Sequence, residues 1–189
     1  LEIIKYYGNV ELVDRENAFD PKPSPNMSNL ETALLYQGLC LLEGTNISEG
    51  RGTDYPFQII GAPWIDNEKL YHELLKFKEN EDIYDLIEFI PISSPSAKYP
   101  KYEGKKCKGL RVMRLSAPIK WTIKLLDVIY RLHPDKFKFL ESNFIDKLYG
   151  EPYIRKAILE NYDLALIFDQ WIETGKQFDL LRQQYLLYD

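Results

Sequence analysis

Apolar residues recur along this chain with two different spacings, and the switches between them lay out the expected elements. Leu70, Leu74 and Phe77 fall at intervals of four and three behind Asp66 or Asn67, either of which can cap a helix. Trp121, Leu125, Val128 and Leu132 repeat the stripe behind Ser116, and His133-Pro134 stops it. Ser28 followed by Glu31 fits a capping box for a short helix from Asn29 to Tyr36. Short apolar runs bounded by turn residues read instead as strands: Leu1–Tyr7, Val10–Val13, Leu39–Leu42, Phe57–Ile60 and Leu110–Leu115. Leu86–Ile92 is nearly continuous, as in a strand covered on both faces. From Phe137 onward the spacing is helical, over Tyr153–Asn161, Leu164–Thr174 and a last stretch carrying Phe178, Leu181, Tyr185 and Tyr188. The expectation is an α/β fold: a mixed β-sheet flanked by helices, with a helical C-terminal segment. Three alternate prolines in Asp20–Asn26 make a rigid connector, and Lys98–Lys108 reads as a basic loop.

Composition narrows the function more than the fold. The 189 residues show no abrupt shift and are expected to form one domain, residues 1–189. A net charge of -5 and the lack of a long basic block argue against nucleic acid as a partner. No run reaches the roughly 18 apolar residues of a membrane span, and no signal peptide opens the chain. It begins at Leu1 rather than Met, which is expected of a processed protein or of the later part of a longer polypeptide. Cys40 and Cys107 have no Cys or His at metal-ligand spacing and are expected to be buried small apolar residues, with no metal site. The 14 tyrosines suit either a filled core or stacking surfaces for sugar rings.

The candidate chemistry gathers in Leu42-Glu43-Gly44-Thr45-Asn46-Ile47-Ser48-Glu49-Gly50-Arg51-Gly52-Thr53. Directly behind an apolar run, it offers two carboxylates, a guanidinium, an amide and three hydroxyls on a backbone loosened by glycines. Glycoside hydrolysis needs a pair of carboxylates, one to protonate the leaving oxygen and one to assist or act as nucleophile. Glu43 and Glu49 are the candidates, and the alternative is that both are surface carboxylates or partners of Arg51. Arg51 can present its planar fork to an anionic ligand, or it can pair internally with Glu43 or Glu49. Thr45, Asn46, Ser48 and Thr53 supply the small donors and acceptors a sugar requires, and the same residues also form turns. Trp64, just past Gly61-Ala62-Pro63, is either a stacking platform or a core residue. The glycines match neither a dinucleotide fingerprint nor a P-loop. Asn46-Ile47-Ser48 and Asn26-Met27-Ser28 fit the glycosylation acceptor pattern by coincidence, and His72 and His133 read as structural.

Pro23-Ser24-Pro25-Asn26-Met27, the run Cys40–Thr53, Pro56-Phe57 and Gly61-Ala62-Pro63-Trp64 together resemble the signature of the bacterial exo-β-N-acetylmuramidases, long catalogued as a domain of unknown function. Phe144–Gly150 and Tyr185-Leu186-Leu187-Tyr188 are similar to that family's C-terminal end. The resemblance implies the C-terminal part of a longer protein, with a Rossmann-like N-terminal domain as partner and the substrate cleft between the two. It also implies release of N-acetylmuramic acid from the non-reducing end of peptidoglycan fragments, without a metal or organic cofactor, in the periplasm or outside the cell. One family candidate for the catalytic glutamate belongs to the N-terminal domain, so this chain alone is expected to be inactive. A non-catalytic module that binds muropeptides or other carbohydrates, and a structural domain that docks its N-terminal partner, are the alternatives.

Overall fold

A computed structural model of the chain describes Ser24, Met27 and residues 29–187. The strands expected at Leu1–Tyr7 and Val10–Val13, most of the Asp20–Asn26 connector, the Ser28 cap and Tyr188 lie outside the described residues. The chain divides into two units, one of residues 19–162 and a second that includes 163–187.

The first unit opens with α1 (Leu30–Leu39), capped by Asn29, whose extended backbone lets its Oδ1 accept from Thr32 N at 2.8 Å. The same oxygen accepts from Gln58 Nε2 at 2.9 Å, so one side chain starts the helix and ties it to the approach to the sheet. Helix α1 outruns its expected end at Tyr36, and the run expected as a strand, Leu39–Leu42, is instead its last residue followed by a 3₁₀ turn over Cys40–Gly44. Four consecutive apolar residues carry no period that separates strand from buried helix. Here Leu39, Leu41 and Leu42 are all buried.

Three strands form an antiparallel sheet in the order β1-β3-β2: β1 (Ile59–Ala62), β2 (Ile83–Phe89) and β3 (Cys107–Arg114). The expected α/β class holds, with both pairings antiparallel. Strand β2 corrects the expectation of a strand covered on both faces, because it is an edge strand. Leu86 is 41% exposed, and Ile90 and Ile92 beyond its end are 49% and 65% exposed. One sheet face carries Ile60, Tyr84, Leu110 and Val112, all buried, against α2 (Asn67–Leu75) and α1, with Trp121 of α3 (Pro118–Leu132) reaching it. There the Tyr84 ring meets Tyr71 at 5.8 Å and Trp121 at 5.5 Å. The opposite face carries Ile59, Phe89 and Cys107, closed over by Ile87 and Tyr102.

Asp66 caps α2 by accepting from Lys69 N, and Leu70 and Leu74 bury its apolar stripe as the spacing requires. Helix α3 buries Trp121, Leu125 and Val128 as expected and leaves Leu132 half-buried. Its cap position is Ala117 with Pro118 in the first turn, not Ser116. Ser116 is spent elsewhere, its single hydroxyl proton shared between Glu79 Oε2 and Asp82 Oδ1. Two short helices, α4 (Phe144–Tyr149) and α5 (Tyr153–Leu159), complete the unit, α4 lying against the 3₁₀ turn.

In the second unit, α6 (Leu164–Arg182) is capped by Asp163 accepting from Ala165 N at 2.9 Å. It is one helix where two segments are expected, and it runs through Gly175 without a break. Among the described residues no helix is long and apolar enough to cross a membrane.

Asp82 joins the two ends of the β2–β3 hairpin. Only 3% exposed, it accepts from Glu79 N, from Ser116 N and from Ser116 Oγ. Asp82→Ala strands those donors and is expected to cost about 2–4 kcal/mol in urea unfolding, at the level of a buried charge-assisted network.

Candidate functional site

The loop that carries the candidate chemistry follows a helix end, and a chain of four alternating charges shapes it. Arg51 Nη2 donates to Glu43 Oε1 at 2.5 Å, and Arg51 Nε lies 3.7 Å from Glu49 Oε1. Lys101 Nζ donates to Glu49 Oε2 at 2.8 Å, and to the carbonyls of Leu42 and Ile47 at 2.9 Å each. An ammonium has three protons, and all three of Lys101's are placed. Two cations and two anions leave the cluster neutral, which is how charges survive so little solvent.

Arg51 reaches both carboxylates because its flanks turn sharply. Gly50 and Gly52 have φ of +80° and +81°, and a Cβ on Gly50 would lie 2.5 Å from the Ile59 carbonyl. The guanidinium also sits 5.3 Å from the Phe57 ring centroid, and Phe57 packs edge-on against Tyr36 at 4.8 Å. Phe57 and Tyr102 both have φ of +59°. For bulky residues this costs of order 1–3 kcal/mol each, and such strain concentrates at functional loops. Phe57 is held by its amide donating to Glu49 O at 2.7 Å, and Tyr102 by its hydroxyl donating to Asn46 O at 2.6 Å.

The two carboxylates differ. Glu49's side chain is 6% exposed and both its oxygens face cations. Glu43's is 19% exposed. Burial pushes the Glu43 carboxyl above the ordinary glutamate range, Arg51 pulls it down and Glu49's charge adds to the rise, so the balance is upward. Burial, and then Glu43, likewise raise the Cys40 thiol, while burial alone pushes Cys107 up to about 11. Both thiols are free.

The small polar residues of the loop are engaged by the fold. Thr45 Oγ1 donates to Leu42 O at 2.8 Å and accepts from Ile47 N. Asn46 donates through Nδ2 to Lys136 O and accepts at Oδ1 from Lys138 N, both at 2.8 Å, which docks the stretch after α3 onto the loop. Ser48 is buried, its backbone paired with Gly61 and its Oγ accepting from Gly50 N. Thr53 Oγ1 closes the glycine turn onto Gly50 O at 2.7 Å. Trp64 is half-buried, donates to the Tyr102 hydroxyl at 2.9 Å and meets the His133 ring at 5.5 Å. His133 accepts from Asp66 N through Nε2, and burial lowers its pKa from the ordinary histidine value, in keeping with the structural role expected of it. Among the described residues no His, Cys, Asp or Glu cluster could hold a metal.

Lys101 and Tyr102 escape the sequence reading. They lie in the stretch taken as a basic loop, and the one local signal was a lysine set between Pro100 and aromatic Tyr102.

A small antiparallel sheet with helices on one face and a neutral ion-pair loop by the other defines an α/β module that holds one carboxyl, Glu43, at the edge of solvent. The family model described as exo-beta-N-acetylmuramidase NamZ, C-terminal, matches residues 34–188, and the chain belongs to that family. It is 34% identical over 170 residues to the peptidoglycan beta-N-acetylmuramidase NamZ of Bacillus subtilis (strain 168), covering 88% of this chain and 40% of that relative. A DUF1343 family protein of Bacteroides fragilis NCTC 9343 has a similar crystal structure, with TM-score 0.64, 32% identity, and coverage of 88% of this chain and 43% of that one. A second DUF1343 family protein from the same organism shares the fold at TM-score 0.75 and 22% identity, covering 88% and 44%. The chain thus spans about two fifths of the length of these relatives.

Lys101→Met leaves Glu49 Oε2 and two carbonyls without their donor, and is expected to destabilise by about 3–5 kcal/mol in denaturant unfolding. Adding Glu49→Leu is expected to recover part of that loss, a coupling read from the double-mutant cycle.

Proposed function

We propose that this chain is the cleft-forming C-terminal part of a glycoside hydrolase that releases non-reducing terminal N-acetylmuramic acid from peptidoglycan fragments. The family match over residues 34–188 carries this reading. The remaining part of the longer polypeptide, a Rossmann-like N-terminal domain, closes the cleft, so the isolated chain does not turn over substrate. No cofactor is invoked. Of the two candidate carboxylates, Glu43 meets the substrate: it is the more exposed, and its raised pKa suits a proton donor. Glu49, locked between Lys101 and Arg51, sets the electrostatics around it. Thr45, Asn46, Ser48, Arg51 and Thr53 build the loop, and Trp64 lies beside it through Tyr102.

In the complete polypeptide, Glu43→Gln is expected to lower kcat/KM for a chromogenic β-N-acetylmuramide by about a hundred- to ten-thousandfold, the range for a lost general acid. A carboxyl that donates a proton works in its protonated form. Activity is therefore retained on the acid side and falls as pH rises through the elevated Glu43 value, and that alkaline limb disappears from the residual activity of Glu43→Gln. Wild-type turnover in the variant, with an unchanged profile, removes Glu43 from the mechanism.

A non-catalytic role in binding muropeptides has one observation on its side: both carboxylates are engaged by cations. Under that reading the complete polypeptide binds muropeptides in calorimetry and hydrolyses none.

A further inference from the structure

Three cations stand around the sheet face on which the candidate loop lies, and they are not equivalent. Arg51 is neutralised by Glu43 and Glu49, and Lys101 has placed all three protons on Glu49 and two carbonyls. The third is Arg111, at the centre of β3. The register sets it opposite Ile59 in β1 and Asp85 in β2, on the face shared with Phe89 and Cys107. Asp85 turns its Oδ1 to Leu86 N at 2.7 Å, and among the described residues Arg111 forms no ion pair.

Its guanidinium carbon lies 4.3 Å from the Tyr55 ring centroid. Tyr55 is fixed in the loop by its carbonyl, which accepts from Gln58 N and Ile59 N and lies against Gly50. Stacking on an aromatic ring holds the guanidinium plane and leaves its edge, where the N–H fork lies, available to a planar anion. One donor, Nε, is buried without a hydrogen-bond partner; Arg51 Nε is too, but it has the Glu49 carboxylate 3.7 Å away, whereas among the described residues Arg111 has no carboxylate in reach. A positive group without a counter-ion is costly to keep partly buried, and a carboxylate docking against the guanidinium edge answers its charge.

The geometry points to Arg111, stacked on Tyr55, as the residue that binds a carboxylate of the substrate. This assignment rests on the proposed action on muramic-acid-containing sugars, and it moves anion recognition from Arg51 to Arg111. Two sources offer that chemistry: the lactyl carboxylate of the sugar itself, and a carboxylate of a peptide attached to it.

The test is calorimetry on the complete polypeptide with N-acetylmuramic acid, its uncharged lactyl amide and N-acetylmuramyl dipeptide, none of which requires turnover. The wild type binds at least one of the two acids more tightly than the amide. Arg111→Gln loses about ten- to a hundredfold in affinity for that acid and keeps its affinity for the amide, as removal of a charged bidentate contact requires. A selective loss on N-acetylmuramic acid identifies the lactyl carboxylate, and one confined to the dipeptide identifies the peptide. Arg111→Lys, which keeps charge but not the fork, gives a smaller loss with the same selectivity and carries the test if the Gln variant does not fold. Unchanged affinities, or equal losses for acids and amide, overturn the assignment. Selective binding without hydrolysis of any glycoside overturns the glycosidase reading and leaves Arg111's role standing. Hydrolysis with no acid-selective loss overturns Arg111 alone, and a wild type that binds none of the three overturns both.

Discussion

The ammonium of Lys101 gathers a loop that has no regular secondary structure to hold it. It takes the carbonyls of Leu42 and Ile47 from the two ends of the turn at Gly44–Asn46, and it takes Glu49 from the start of the next one. The Lys101 side chain is 25% exposed, and a partly buried charge without a partner is costly. Glu49 prevents that, Arg51 answers Glu49, and Glu43 answers Arg51. Each charge is held because the next one is there, and the chain ends at the one carboxyl with a path to solvent. The order matters: Glu49, the deepest carboxylate, faces a cation at each oxygen, and Glu43 is the one left with reactivity to spend.

The backbone around this cluster carries matching strain. Phe57 and Tyr102 stand in the left-handed region on either side of it, and each is fixed by a short hydrogen bond to the loop. Among the described residues two other non-glycine residues share that conformation, Asn143 and Asn161, and asparagine tolerates it. Among those residues the strained bulky ones are therefore confined to the candidate site. The sheet beneath supplies the rigidity, with Ile59, Phe89 and Cys107 buried on the same face. Helices on the other face leave this one to loops, which is where a ligand can approach.

Much of this was legible in the sequence. The stripes of Leu70 and Leu74, and of Trp121, Leu125 and Val128, are local spacings, and both became buried helix faces. The polar loop was legible as a place of chemistry, and Glu43, Glu49 and Arg51 do come together there. The run Leu39–Leu42 was misread because four apolar residues satisfy strand and helix alike. The roles of Asn46 and Lys101 were hidden for a different reason. Asn46 bonds residues about 90 positions away, and Lys101 bonds carbonyls more than 50 away, so nothing beside either residue announces its partner. Ser116 lost its expected capping role to Asp82 in the same way, through a partner 34 residues distant.

The central claim is that the charge chain reserves Glu43 for the substrate while Lys101 and Arg51 hold Glu49. A crystal structure of the complete polypeptide with N-acetylmuramic acid bound tests it most directly. The account predicts a Glu43 oxygen within hydrogen-bond distance of the sugar's glycosidic oxygen, with the Lys101–Glu49 pair unchanged. A sugar that lies against Glu49 with Lys101 displaced, or that makes no contact with Glu43, contradicts it.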